Sequence, residues 1–191
     1  MHNATVFSLP FLAPVDWYMA YLKAEAPILE LYDTLPRQSI HSRCLIDGPQ
    51  KIVRLSVPVI NKGKVITRDA RISYREHWVE EHLHSLRTAY RSSPFYAYLE
   101  DDLADIFHRR YSFLADLNIA LHQQVLQWLR LPKTQLSFTN HWTKDYPNDL
   151  RSRPKNTAFT DVNVPQYPRQ FQNEQTVLSI IDFLANEGGV W

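Results

Sequence analysis

Alternation and helical spacing divide the chain into a strand-rich first part and a helical middle. "TVFSLPFL" (5–12) is a short apolar run that predicts a buried strand. In "APVDWYMAYLKAE" (13–25), Val15, Tyr18, Met19 and Leu22 recur at helical spacing, and Pro14 suits a first helical turn. "PILELYD" (27–33) predicts a second strand, and a strand–helix–strand opening of this length favours a right-handed parallel unit. "QSIHSRCLI" (38–46) and "KIVRLSVPVI" (51–60) flank "DGPQ"; Asp-Gly between two alternating runs predicts a hairpin. "INKGKVIT" (60–67) reads as a further turn, followed by a short strand near "DARIS" (69–73).

The middle is helical. Ser73 and Glu76 have the spacing of a capping box, opening a helix that runs to about Ser92. "SSPF" (92–95) offers a serine cap with Pro94 at the first position of the next helix, whose inner face would carry Phe95, Leu99, Leu103 and Ile106. A third helix begins near Arg110, with Leu114, Leu117, Leu121, Val125 and Trp128 along one side, and stops at Pro132. "QLSFTNHW" (135–142) predicts a strand returning to the sheet. Residues 143–173 are polar, carry Pro147, Pro154, Pro165 and Pro168, and show no period; a segment of that length is usually functional or mobile. "TVLSIIDFLANEGG" (176–189) predicts a closing helix ended by glycine. No repeat or linker divides the chain. The expected fold is therefore α/β and a single domain over 1–191. A mixed central sheet from the N-terminal half would pack against the helices of 74–130 and a C-terminal helix.

Composition narrows the chemistry. With 191 residues, 45% hydrophobic, 21% charged and net charge +1, the chain suits a globular domain with no electrostatic case for nucleic acid. Aromatics at 13% imply ring-rich core or pocket walls. One cysteine, Cys44, excludes an internal disulfide and a cysteine zinc site. The first apolar run lacks a basic leader and is broken by Pro10 and Pro14, so neither a signal peptide nor a membrane span is expected, and the expected compartment is the cytoplasm. The four glycines, at 48, 63, 188 and 189, form no GxGxxG, no GxxxxGK[ST] and no GxSxG motif.

Candidate side chains are then weighed by position. On the helix 74–92, at about 100° per residue, Glu80, Glu81, His84 and Thr88 fall within about 60° of His77. His77, Glu81 and His84 have metal-ligand character, but the stripe lies opposite Val79, Leu83, Leu86 and Tyr90 and reads as the solvated face. No metal is expected. His82, about 140° round, borders the apolar side, as a packed histidine or as one lining a cleft. Glu30 and Asp33 would point to opposite faces of a strand, so they are not a dyad. Glu30 alone falls near the C-terminal end of a parallel strand, where α/β sheets bind ligands; a solvated end-of-strand carboxylate is the alternative. His41 and Cys44 face apart on a strand, which argues against a Cys–His pair. Arg37, Gln38 and Arg43 suit an anionic ligand or plain surface charge. Lys144, Arg151, Arg153 and Lys155 are too dispersed to form a patch.

These pieces, in this order, resemble the WbqC-like family of bacterial proteins associated with O-antigen and other surface-polysaccharide gene clusters. The resemblance spans "FLAPVDWY" (11–18), "RQSIHSRCLIDGPQKIVRLSVPV" (37–59), "WVEEHLHSLRTAYRSSPFYAYLEDD" (78–102), "YPRQF" (167–171) and "LSIIDFLANEGG" (178–189). The family's pattern falls on Glu30, Gln38, Arg43, Ser56, Pro58, Trp78, His82, Tyr90, Ser93, Pro94, Asp182 and Asn186. The chain departs from it at Phe7, Ser8 and Leu9, where distant members carry His-Gln-Pro, and at Ile40, Ser42 and Gly189. The resemblance implies a role in making or modifying polysaccharide building blocks; the leading expectation is an enzyme of surface-glycan synthesis, a transferase on a sugar nucleotide or amino sugar, and no cofactor is expected. His82 would be the general base, Arg43 would hold a phosphate or carboxylate, and Glu30 with Gln38 would orient hydroxyls or an amine. Trp78, Tyr90 and Ser56 would contact substrate. The rival reading is a non-catalytic sugar-binding or assembly protein that stacks its ligand on Trp17, Trp78 and Tyr90. A third is a stable domain whose shared residues are packing and caps. The enzyme reading requires His82, Arg43 and Glu30 to converge on one concave site.

Overall fold

The structure, a computed structural model, describes residues 4–60, 64–131, 135–151, 162–171, 173 and 177–189. In chain order the elements are β1 (Ala4–Ser8), α1 (Val15–Lys23), β2 (Ala26–Glu30), β3 (Arg43–Asp47), β4 (Ile52–Ser56), β5 (Val59–Ile60), a 3-10 turn (Thr67–Asp69), β6 (Arg71–Ile72), α2 (Trp78–Tyr90), α3 (Ala97–His108), α4 (Leu114–Trp128), β7 (Ser137–Phe138), β8 (Asn148–Leu150) and α5 (Ile180–Glu187). The α/β class and the opening parallel unit are as the spacing predicts: β1 and β2 pair in parallel, from Ala4 opposite Ala26 to Ser8 opposite Glu30.

The sheet differs in make-up from the expected one. Its order is β7-β2-β1-β8 and every pairing is parallel. The antiparallel pairs β3-β4 and β5-β6 form separate two-stranded sheets. Half of the parallel sheet thus comes from residues 137–150. β8 lies inside the stretch that shows no period, because three residues, two of them polar, are too few to carry one. The Asp-Gly hairpin forms as expected: Gly48 N donates to Lys51 O at 3.2 Å, and a β-carbon on Gly48 would come within 2.6 Å of Val53. Its first strand begins at Arg43 rather than Gln38. Gln38 takes a left-handed φ of 56°, and Ser42 N turns back to Ser39 O at 3.2 Å, so 38–42 is a folded loop.

Two helix starts also differ from the capping signals. α2 begins at Trp78, because the Trp78 indole N–H donates to Ser73 O at 3.0 Å and wraps 73–77 beneath the ring. Ser73 Oγ meets only the amide of Arg75, at 3.5 Å. Pro94 sits in a turn, not a helix. Ser93 Oγ donates to Asn186 at 3.0 Å and Phe95 N donates to Ala185 O at 3.0 Å, so this corner is spent on docking α5, and α3 starts at Ala97. Phe95 consequently lies partly exposed over Gly188, whose φ of 74° ends α5.

The core is aromatic where the sheet meets α1 and α4. Phe7 packs edge-on against Trp17 and Tyr21, both at 5.5 Å between centroids, and Trp17 stacks on Tyr21 at 5.0 Å. His122 of α4 completes the cluster, 4.8 Å from the Tyr21 ring, with Nδ1 3.0 Å from the Tyr18 hydroxyl. A second knot ties α5 to α2 and the hairpin. The Tyr90 hydroxyl donates to Asp182 Oδ1 at 2.8 Å and accepts from the Asp47 amide at 3.2 Å, while Tyr167 donates to Asp182 Oδ2 at 2.7 Å. Asp182 is fully buried, and burial raises its pKa despite these donors.

Tyr90→Phe removes one donor from that carboxylate and one acceptor from the Asp47 amide. The expected loss is about 1–3 kcal/mol, read from urea unfolding midpoints; wild-type stability would show that the knot contributes nothing. Two buried histidines make a second prediction. Burial pushes His82 down to about 4 and His122 down to about 3, so both are neutral in the folded protein, whereas the unfolded chain takes up these protons near pH ~6.5. Their contribution is fully present above the unfolded value and is lost as pH falls from about 6.5 through the folded values. Each adds a slope of about 1 kcal/mol per pH unit across that window. His82→Gln keeps an acceptor for its neighbour and should remove about half of that combined slope when unfolding is measured between about pH 7 and pH 4.5.

Candidate functional site

The C-terminal ends of the parallel strands meet at one carboxylate. Glu30, the last residue of β2, is fully buried. Its Oε1 accepts from Thr139 Oγ1 at 2.7 Å and from the Tyr32 amide at 2.8 Å, and its Oε2 accepts from Arg151 Nη1 at 3.0 Å. Thr139 follows β7 and Arg151 follows β8, so three strand ends share this group. Arg151 also binds Asp149 through Nη2 at 2.5 Å and the carbonyls of Thr143 and Lys144 at 2.8 and 3.0 Å. Its pKa is raised, first by the hydrogen bonds with Asp149 and then by Glu30. In the ladder Ser8 stands opposite Glu30, and Leu150 opposite Phe7. Arg151, one residue past Leu150, thus reaches Glu30 from the other side of β1.

Beside this pair opens a cleft of about 790 Å³. Its position, at the carboxyl edge of a parallel sheet, is where α/β folds place ligands. One wall is the outer face of the hairpin. Arg43 lies opposite Ser56 and Leu45 opposite Arg54, so Arg43, Leu45 and Arg54 share a face, and all three line the cleft. The Arg43 pKa is lowered, first by desolvation and then by the charge of Arg54. Neither arginine forms an ion pair with a described residue. The loop after β2 also lines it, with Asp33, Arg37, Gln38, Ser39 and His41. Asn118 of α4 fixes this loop by donating to the carbonyls of His41 at 2.8 Å and Leu9 at 3.2 Å. Trp142, about half exposed, and Lys144 form the lip, and Pro14 and Ser179, where α1 and α5 begin, form the floor.

The expected site residues divide accordingly. Arg43 and Gln38 reach the cleft. Glu30 stands behind its wall with its oxygens occupied, where it holds Arg151 rather than facing ligand. His82 does not line the cleft. Its ring sits among Trp78, Phe11 and Phe107, with centroids at 5.1, 5.8 and 6.1 Å, and its Nε2 accepts from the Ser56 amide at 3.1 Å. Trp78, Tyr90 and Trp17 are all core residues, so they offer no stacking surface; the indole at the cleft is Trp142. The three groups required to converge are therefore split between core, wall and cleft. Cys44 lines the cleft, but its thiol is buried and held protonated by that burial.

His77, just before α2, and Glu81 and His84 on it are exposed, and among the described residues no group of three His, Cys, Asp or Glu side chains is placed to hold a metal ion. No described helix is long and apolar enough to cross a membrane.

Three cleft-side residues were hidden by particular features of the sequence. Arg54 becomes the partner of Arg43 once the Asp-Gly turn fixes the register, and that signal was available. Arg151 depended on a strand of three residues. His41 reads as a strand residue facing apart from Cys44, because the left-handed turn at Gln38 has no glycine to mark it.

Arg151→Met leaves a buried carboxylate without its cation and should cost about 3–5 kcal/mol in urea unfolding. The double change Glu30→Gln with Arg151→Met should recover part of that loss; strictly additive losses would show that the two residues are not coupled.

No curated protein and no solved structure matches the chain. The model of one family does, over residues 29–151, more than half of the chain. The matched stretch opens at the end of β2, next to Glu30, and closes on Arg151, so it contains both halves of the buried pair and most of the cleft lining. The chain belongs to the WbqC-like protein family.

Proposed function

We propose that this protein is an enzyme of surface-polysaccharide synthesis that transfers a group to an anionic sugar substrate, a sugar nucleotide or a phosphorylated amino sugar. The observation that carries the reading is the pair Arg43 and Arg54, two neighbouring guanidiniums on a cleft wall with no carboxylate partner among the described residues. Holding like charges side by side is unfavourable, and a phosphate or diphosphate between them would relieve it while accepting planar, charge-assisted hydrogen bonds. Arg37 and Lys144 add to the field, and Trp142 supplies an exposed indole face on which a sugar or base ring stacks. Gln38 reaches the same space and suits a hydroxyl or amide of the ligand.

The chemistry in this reading belongs to the cleft loops, and His82 keeps the role of holding the Ser56 amide beneath the hairpin. A binder without turnover is the second reading. It is favoured by the saturation of Glu30, which leaves no free carboxylate of the expected trio at the cleft.

Titration calorimetry with a nucleoside diphosphate and its sugar conjugates tests the site. Arg43→Ala and Arg54→Ala should each weaken binding about tenfold or more, with affinity falling as salt rises. Trp142→Ala should discriminate the sugar conjugate from inorganic phosphate. Equal affinity in the wild type and both arginine variants would remove the cleft as the anion site.

A further inference from the structure

The loop that lines the cleft together with the two arginines holds three residues whose geometry anion binding does not require. Ser39 Oγ lies 3.1 Å from His41 Nδ1. The other ring nitrogen, His41 Nε2, is buried without a hydrogen-bond partner among the described residues, and faces Asp33 Oδ2 at 3.6 Å. Asp33 is itself held, since Thr67 Oγ1 donates to its Oδ1 at 2.5 Å and Thr67 N donates to its carbonyl at 2.9 Å. The His41 backbone is pinned by Asn118, and the ring is only 3% exposed. Ser39, His41 and Asp33 all line the cleft.

These positions fix the direction of the protons. A carboxylate beside Nε2 favours the tautomer with its proton on Nε2, which leaves the Nδ1 lone pair to accept from the Ser39 hydroxyl. The serine is thereby polarised, and any positive charge that forms on the ring is met by Asp33. The roles are those of a hydroxyl, an imidazole and a carboxylate in nucleophilic catalysis, with the two ring nitrogens exchanged; such sets are recognised by geometry rather than by a sequence motif. The left-handed φ of 56° at Gln38, one residue before Ser39, is an uncommon conformation for a residue with a side chain, and strain of this kind gathers at functional sites.

We propose that Ser39 is a nucleophile that accepts an acyl group from an ester or thioester donor and passes it to an amine or hydroxyl of the substrate held by Arg43 and Arg54. In the first half, Oγ bonds to the donor carbonyl carbon while its proton moves to His41 Nδ1. The donor C–S or C–O bond then breaks, and the leaving thiol or alcohol departs with that proton. In the second half, the acceptor nitrogen or oxygen bonds to the acyl carbon and gives its proton to Nδ1. The bond to Oγ breaks, and Oγ takes the proton back. His41 carries the proton, and Asp33 is a positioning residue. The identity of the acceptor rests on the proposed function; the reactivity of Ser39 does not.

A fluorophosphonate reagent reads that reactivity directly, because the serine oxygen displaces fluoride and leaves a stable adduct. Intact mass and peptide mapping should show one adduct, on Ser39, forming more slowly as the medium is acidified. Ser39→Ala should abolish labelling, and Ser39→Thr should restore part of it. His41→Gln should slow it by about 100-fold or more, with a melting temperature near that of the wild type. Asp33→Asn should slow it and displace its pH profile. Absence of an adduct on Ser39, labelling that survives Ser39→Ala, or a rate indifferent to His41→Gln would each overturn the proposal. Nucleoside diphosphate binding to Ser39→Ala is measured alongside. Binding without labelling in the wild type removes the serine alone, and labelling without binding removes the anion site alone.

Discussion

The buried ion pair between Glu30 and Arg151 is the constraint on which the rest of the structure depends. A carboxylate with no access to water is tolerated only where its oxygens are met, and here they are met from three strand ends at once. The cost of desolvating the charge is offset by hydrogen bonds that no single strand supplies. β7 and β8, two and three residues long, are too short to be held by ladder bonds alone, and each is fixed at its C-terminal end by this group. The carboxyl edge of the sheet is rigid for that reason. The segment carrying Trp142 and Lys144 is drawn against it by the same guanidinium, through the Thr143 and Lys144 carbonyls.

Rigidity on one side is matched on the other. The hairpin is backed by His82, whose ring accepts the Ser56 amide, and by Tyr90, which accepts the Asp47 amide. One contact lies at each end of the pair β3-β4. His82 and Tyr90, on the inner side of α2, thus hold the hairpin that carries Arg43 and Arg54 without lining the cleft themselves.

How much of this was legible varied with the kind of signal. The β1-α1-β2 opening, the Asp-Gly hairpin and the inner faces of α3 and α4 follow from periodicity, which burial enforces. Glu30 follows from a rule about strand ends, but its buried state does not, because two of the three groups that satisfy it, on Thr139 and Arg151, come from more than a hundred positions away. The capping signals at Ser73 and Pro94 do not give helix starts, because other partners take the groups there: the Trp78 indole, five residues on, bonds the Ser73 carbonyl, and Ala185 and Asn186 near the end of α5 bond the Phe95 amide and the Ser93 hydroxyl. The cleft loop reads as strand because it runs straight into the hairpin's first strand, while the left-handed φ of Gln38 and the bond from Ser42 N to Ser39 O fold 38–42 back on itself.

The floor of the cleft carries a consequence for the order in which the chain is made. Ser179 N donates to Leu45 O, Ile180 N to Ala13 O, and Ser179 Oγ to Leu12 O, so the beginning of α5 is built into the beginning of α1 and the hairpin. During synthesis the sheet's first two strands, the arginine wall and the three middle helices all leave the ribosome before this segment. A nascent chain can therefore hold the hairpin, the loop after β2 and the middle helices while the residues that tie α1 to the hairpin are still to be made.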